Sequence, residues 1–125
     1  MDTAGQVKYW VDGAREDWEA AVDLVHQGRM RHGLFFAHLA LEKALKAHVS
    51  LRTNTPPARI HNLVRLAQTA GLALTDDVMD LLADMNQFNL EGRYPQPQQQ
   101  NISGPGAAEY MKRAGEVLAW LTRQL

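Results

Sequence analysis

Leu34-Phe35-Phe36-Ala37-His38-Leu39-Ala40-Leu41-Glu42-Lys43-Ala44-Leu45-Lys46-Ala47-His48-Val49 decides the fold of this chain. Wound as a helix, the stretch is apolar on almost every side, so most of its faces must be covered, by its own bundle or by a second subunit. It is too short and too charged to cross a bilayer, which needs about 20 nearly uncharged residues. Glu42, Lys43 and Lys46 interrupt the apolar surface. Charges in so buried a setting must escape along one edge or line a site.

The flanking sequence reads as further helices. Val7, Val11, Ala14, Trp18, Ala21 and Val25 recur at three- and four-residue spacing, which predicts an amphipathic helix from about Thr3 to Gln27, closed by Gly28. The central helix runs from about Met30 to Leu51, with Gly33 near its start, where a glycine costs little. Asn54-Thr55-Pro56-Pro57 ends it, because proline cannot continue the hydrogen-bond ladder. Leu63, Leu66, Ala67 and Ala70 mark a short helix stopped by Gly71. Thr75-Asp76-Asp77 is a cap with an acidic first turn, followed by Val78, Leu81, Leu82, Met85 and Phe88 on one side. Ala107, Tyr110, Met111, Ala114, Val117, Leu118 and Leu121 give the last helix. Nothing alternates as a strand would. The expected architecture is a single all-α domain over residues 1–125, an up-and-down helical bundle of four main helices and one short one. The longest irregular stretch, about Glu91 to Pro105, has a length that tends to carry function.

With 46% hydrophobic and 22% charged residues, the chain has the composition of an ordinary globular protein. The absence of cysteine excludes disulfides and thiolate chemistry and fits a reducing cytoplasm. Met1-Asp2-Thr3-Ala4-Gly5-Gln6 has neither the basic stretch nor the apolar run of a secretory signal, so a cytoplasmic location is expected.

A net charge of −1 conceals segregation: residues 1–28 carry −4, residues 29–65 carry +6 and residues 66–125 carry −3. His32, His38, His48 and His61 also fall in the basic middle. Such a segment attracts phosphate-bearing ligands, or it faces the acidic first helix across an interhelical seam. The acidic first helix argues for a pocket and against an extended nucleic-acid groove.

Three motifs follow. His38, Glu42 and Lys46 are one turn apart on one helix face. They provide too few ligands for a metal and read as a buried hydrogen-bonded relay, so neither a metal nor a cofactor is expected. His61-Asn62-Leu63 follows the Pro-Pro turn at the place of a helix N-cap, where the ring binds an anion or serves in capping and packing. Arg93-Tyr94-Pro95 combines a planar fork that grips phosphate with a tyrosine held extended by the following proline. Tyr94 there stacks on a base or exposes its hydroxyl; the alternative is a loop anchor, with Tyr94 plugging the bundle and Arg93 paired with a helix acid.

Taken in order, these segments resemble the HEPN family, the domain of higher eukaryotic and prokaryotic nucleotide-binding proteins. The resemblance lies in Trp10 and Trp18 on the first helix, in Phe36-x-x-x-x-Leu41-Glu42-Lys43-Ala44-Leu45-Lys46, in His61-x-Leu63-x-x-Leu66 and in Arg93-Tyr94-Pro95. It implies a homodimer with a functional cleft near the subunit interface, and a minimal nucleotidyltransferase as protein partner in a module of toxin–antitoxin type. Some relatives are metal-independent ribonucleases, in which an arginine is followed four to six residues later by a histidine. Here Tyr94, Pro95, Gln96, Pro97, Gln98, Gln99 and Gln100 follow Arg93, and glutamine cannot shuttle a proton. The resemblance is to the branch with an Arg-Tyr-Pro signature. It implies nucleotide or RNA-phosphate binding through Lys43, Lys46, Arg93 and Tyr94, without efficient ribonuclease activity. Two alternatives stand beside it: a metal-independent RNase toxin using Arg93 and a displaced histidine, His61, or a ligand-free helical dimerisation adaptor. The homodimer is also expected because the central helix has more apolar surface than four neighbours readily cover.

Overall fold

A computed structural model of the chain describes residues 2–89 and 102–125. The Arg93-Tyr94-Pro95 signature and most of the Glu91–Pro105 stretch lie outside the described residues.

Every α-helix but the second begins where a side chain takes up its unpaired N–H groups. Asp2 Oδ1 accepts the Gly5 N–H at 2.7 Å and starts α1, Thr3–His26. Gly28 follows at φ +80°, a left-handed turn that a side chain would strain, and after Arg29 the chain enters α2, Met30–Thr53. That helix ends on Asn54, itself left-handed at φ 57°, just before Pro56 and Pro57. Asn62 caps α3, Leu63–Thr69, by accepting from the Val64 and Arg65 N–H groups at 3.0 and 3.2 Å. Thr75 caps α4, Asp76–Met85, whose first turn carries the expected acids Asp76 and Asp77. A 3-10 turn, Asn86–Phe88, then extends α4. Ser103 caps α5, Gly104–Arg123. This last helix begins about one turn earlier than apolar spacing predicts, because Pro105 suits a first helical turn, where its missing N–H costs nothing.

The four longer helices alternate in direction, whereas short α3 runs alongside α2, from His38 toward Arg52. Gly33 of α2 lies against Ala21 and Val25 of α1, and Lys43 against Gly13, so residue numbers run oppositely. Met30 lies near Gly104 and His48 against Leu121, so α5 runs parallel to α2. The Phe88 and Tyr110 rings meet edge to face at 5.1 Å, where the end of the α4 segment passes the first half of α5. The result is the expected all-α bundle, with α2 at its centre touching α1, α3, α5 and the 3-10 turn. No strand occurs among the described residues.

Within one chain much of α2 is covered. Phe35, Phe36 and Leu39 stay half-buried and Leu51 is 53% exposed, but Leu34, Ala37, Leu41 and Leu45 are fully buried. Small residues make this possible. Ala14 and Ala21 on α1 face Ala37, Ala40 and Ala44 on α2 within one core, which lets the two helices approach closely. His48 closes the other side: its Nε2–H donates to the Leu121 carbonyl at 2.8 Å, one of the α5 carbonyls left without a helical donor.

Gly33 sits at the tightest part of the α1–α2 seam. A Cβ there would lie 2.4 Å from Val25 Cγ2 and 3.1 Å from the Ala21 carbonyl oxygen. The glycine is therefore required for packing and is not merely tolerated near a helix start. Gly33→Ala should lower stability by about 1–3 kcal/mol in chemical denaturation, despite alanine's better helix propensity. Most of that loss should disappear in a Val25→Ala background. An unchanged midpoint for Gly33→Ala alone would refute the tight seam.

Candidate functional site

The polar face of α2 closes around Glu42. This residue is 4% exposed, and its carboxylate receives two hydrogen bonds: Lys46 Nζ to Oε2 at 3.0 Å and His61 Nδ1 to Oε1 at 2.9 Å. Lys46 is one turn along the same helix. His61 arrives from the segment between α2 and α3, nineteen residues away in the chain. Asn62, and not His61, occupies the N-cap of α3, so the His61 ring is released to turn inward onto Glu42. Asn86 Oδ1 accepts the Leu63 N–H at 2.9 Å and its amide donates to Asn62, pinning that turn to the end of α4.

His38 lies behind this pair, completely buried. Its Nε2–H donates to the His61 carbonyl at 3.1 Å, which sets the neutral tautomer and leaves Nδ1 without a hydrogen. That Nδ1 lies 4.0 Å from Glu42 Oε1 and has no hydrogen-bond partner. The relay expected from the one-turn spacing thus forms through Glu42, Lys46 and His61, with His38 gripping the backbone that carries His61. Among the described residues no group of three His, Asp or Glu side chains has the arrangement of a metal site.

Burial pushes the His38 imidazole pKa down, against the opposing pull of the Glu42 carboxylate. Glu42 and His61 are the titratable groups facing it. A histidine in the unfolded chain takes up protons below about pH 6.5, whereas buried His38 does so only at lower pH. Its stabilising contribution is therefore complete above that value and is lost as pH falls toward the lowered native pKa. His38→Gln keeps an amide donor for the His61 carbonyl but cannot titrate. Between pH 7.5 and pH 5.5 the wild type should lose more urea stability than this variant. Equal losses would show that His38 does not govern the acid limb.

The two lysines of α2 face different surroundings. Lys43 Nζ pairs with Asp17 at 2.7 Å across the α1–α2 seam and lines a small cleft with Tyr9, Asp12, Gly13 and Glu16. Its charge is committed to acidic α1, as the seam reading of the charge pattern requires. Lys46 instead lies 5.4 Å from the centroid of the Trp10 ring, within range of a cation–π contact. It borders a cavity of about 380 Å³ lined by Gln6, Tyr9, Trp10, Pro56, Pro57, Ala58 and Arg59. Sequence reading did not single out Tyr9 or Arg59. The available signal was an adjacent aromatic pair on a helix and an arginine two residues beyond Pro-Pro, both too common to select. Arg93 and Tyr94 lie outside the described residues.

Comparison with known proteins agrees with this architecture. The chain is similar to an archaeal HEPN homologue, ST0689, with a TM-score of 0.76 at 19% identity, covering 94% of this chain and 96% of that one. It is similar also to TT1696 from Thermus thermophilus, with a TM-score of 0.77 at 20% identity, covering 96% and 98%. At such identities the likeness concerns the fold. No match is found among curated proteins. A family model for the HEPN domain matches residues 7–125, nearly the whole chain. The chain belongs to the HEPN domain family.

Proposed function

We propose that this HEPN-domain protein binds a nucleotide or an RNA phosphate and works beside a minimal nucleotidyltransferase, as one half of a two-protein module of toxin–antitoxin type. The observation that carries the binding reading is Lys46, a buried ammonium beside Trp10 that borders a cavity whose lining contains no acid. Lys43 adds less, because the cleft it lines also carries the acids Asp12 and Glu16. Arg93 and Tyr94 enter through the family signature, where an arginine fork grips phosphate. The nucleotidyltransferase partnership rests on the family resemblance. A homodimer belongs to the same reading. One apolar surface for it is the groove where Val7 and Val11 of α1 meet Leu51 of α2 and the terminal Leu125, of which Leu51 is 53% exposed.

Binding at cationic groups should weaken as salt rises. Titration with ATP, GTP and short RNA at low salt should show weak binding that fades with added salt, and Arg93→Ala should reduce it. Light scattering on the same samples should give twice the chain mass. No binding by any of the three ligands would end the nucleotide reading and leave a helical adaptor; a monomer mass at tens of micromolar would end the dimer.

One contact favours a second reading. The hydrogen bond from His61 Nδ1 to Glu42 fixes the ring's tautomer, as a carboxylate does for a general-base histidine. With Arg93 holding the scissile phosphate, His61 would take the proton from an attacking 2′-hydroxyl. We expect no ribonuclease activity comparable to that of a catalytic HEPN toxin, because Gln98, Gln99 and Gln100 occupy the stretch where the proton-transferring histidine belongs. Loss of general acid–base help typically costs about 10²–10⁴-fold in rate. RNA incubated with wild-type protein and a chelator should therefore stay intact. Strong cleavage abolished by both His61→Ala and Arg93→Ala would make the toxin reading the correct one.

A further inference from the structure

The cavity between α1 and the Pro56–Pro57 segment combines three features that core packing does not use and the Glu42 relay uses only in part, through one donor of Lys46. The first is charge. Two cations, Lys46 and Arg59, line it, and no acid does. Lys46 is 6% exposed and its ammonium makes one hydrogen bond, to Glu42, so two of its three N–H donors lack a protein acceptor among the described residues. Arg59 is exposed, and no carboxylate pairs with it among the described residues.

The second feature is a displayed aromatic ring. Tyr9 is 57% exposed on the first helix, held edge-on to Trp10 with centroids 5.0 Å apart and planes at 75°. One side of Trp10 is already engaged by Lys46, so Tyr9 is the ring that offers an open face. The third feature is rigidity. Pro56 and Pro57, whose φ angles are locked by their own rings, form the opposite wall. A cavity of about 380 Å³ lies at the small end of small-molecule sites, large enough for one nucleotide unit and too small for a strand.

We infer that this cavity binds a mononucleotide, with the base stacked on Tyr9 and the phosphate received by Lys46 and the Arg59 fork. The inference rests on the nucleotide reading above and places the ligand at Tyr9, Lys46 and Arg59. Aromatic stacking accepts any base, because every base has a π-face, so the site selects for a planar ring joined to a phosphate and discriminates weakly among bases. Arginine's planar fork matches two phosphate oxygens, and the unused Lys46 donors face an anion that brings acceptors.

The test is calorimetric titration at low salt with AMP, GMP, adenosine and ribose 5-phosphate. Wild type should bind AMP and GMP with similar affinity, and adenosine and ribose 5-phosphate at least about tenfold more weakly. Arg59→Ala and Tyr9→Ala change exposed side chains and should keep the fold, checked by circular dichroism. Each should weaken AMP binding about tenfold or more. Arg65→Ala, which removes an exposed arginine elsewhere, should change nothing. AMP binding that survives both Arg59→Ala and Tyr9→Ala but falls with Arg93→Ala would overturn this site and keep the nucleotide reading. Ribose 5-phosphate binding as tightly as AMP would overturn the stacking role of Tyr9. No binding of either mononucleotide would overturn this site, and the reading on which it rests would fall with it only if ATP, GTP and short RNA also fail to bind.

Discussion

A carboxylate buried in an apolar helix is the constraint around which this molecule is arranged. Glu42 sits on α2 between Leu41 and Lys43, with most of the helix circumference committed to the core. Removing such a charge from water is expensive unless partners restore its hydrogen bonds. Lys46 supplies one partner from the next turn and His61 supplies another from outside the helix. The second requirement has consequences for topology. The chain after α2 must double back so that His61 reaches Glu42, and the Pro56–Pro57 turn, the Asn62 cap and the Asn86 clasp together hold it there. Losing one donor would leave a buried charge half-satisfied, which is costlier than an apolar core of the same shape.

Local chemistry made the helices readable in advance. Gly28, Asn54-Thr55-Pro56-Pro57 and Thr75-Asp76-Asp77 act through their own backbone preferences, so their consequences do not depend on distant residues. The apolar run on α2 likewise announced a central helix. What stayed hidden depends on partners far away in sequence. His61 reads as a cap until one knows that Glu42 lies within reach and that Asn62 does the capping. His48 looks like another residue of the basic segment, yet it serves a carbonyl seventy-three positions away. Whether four neighbours can cover α2 is a question of interhelical distance. Apolar counting does not reveal that distance, which alanine pairs and Gly33 make shorter than larger side chains would allow.

Charge segregation proved to have two local meanings. At Lys43 the basic helix answers the acidic one, and the Asp17 pair fastens the seam. Three residues further on, the helix has rotated far enough that Lys46 leaves the acids of α1 behind and meets Trp10 and its own helix's Glu42. Both lysines belong to the same sequence block and contribute equally to its net charge. Only the position on the helix circumference separates a lysine whose partner and cleft belong to acidic α1 from one that borders a cavity without acids.

Lys46 therefore stands between two environments, and Glu42 is what joins them. The same carboxylate holds the ammonium that borders the α1 cavity and the imidazole that emerges beside α3. An anion taking the unused donors of Lys46 shares its ammonium with Glu42 Oε2, while Oε1 remains occupied by His61. The two oxygens belong to one rigid, delocalised group, so a change in the hydrogen bonding of one alters the acceptor strength of the other. Any ligand that reaches Lys46 is in this way electrostatically linked to His61 through a single side chain, without requiring a movement of the backbone.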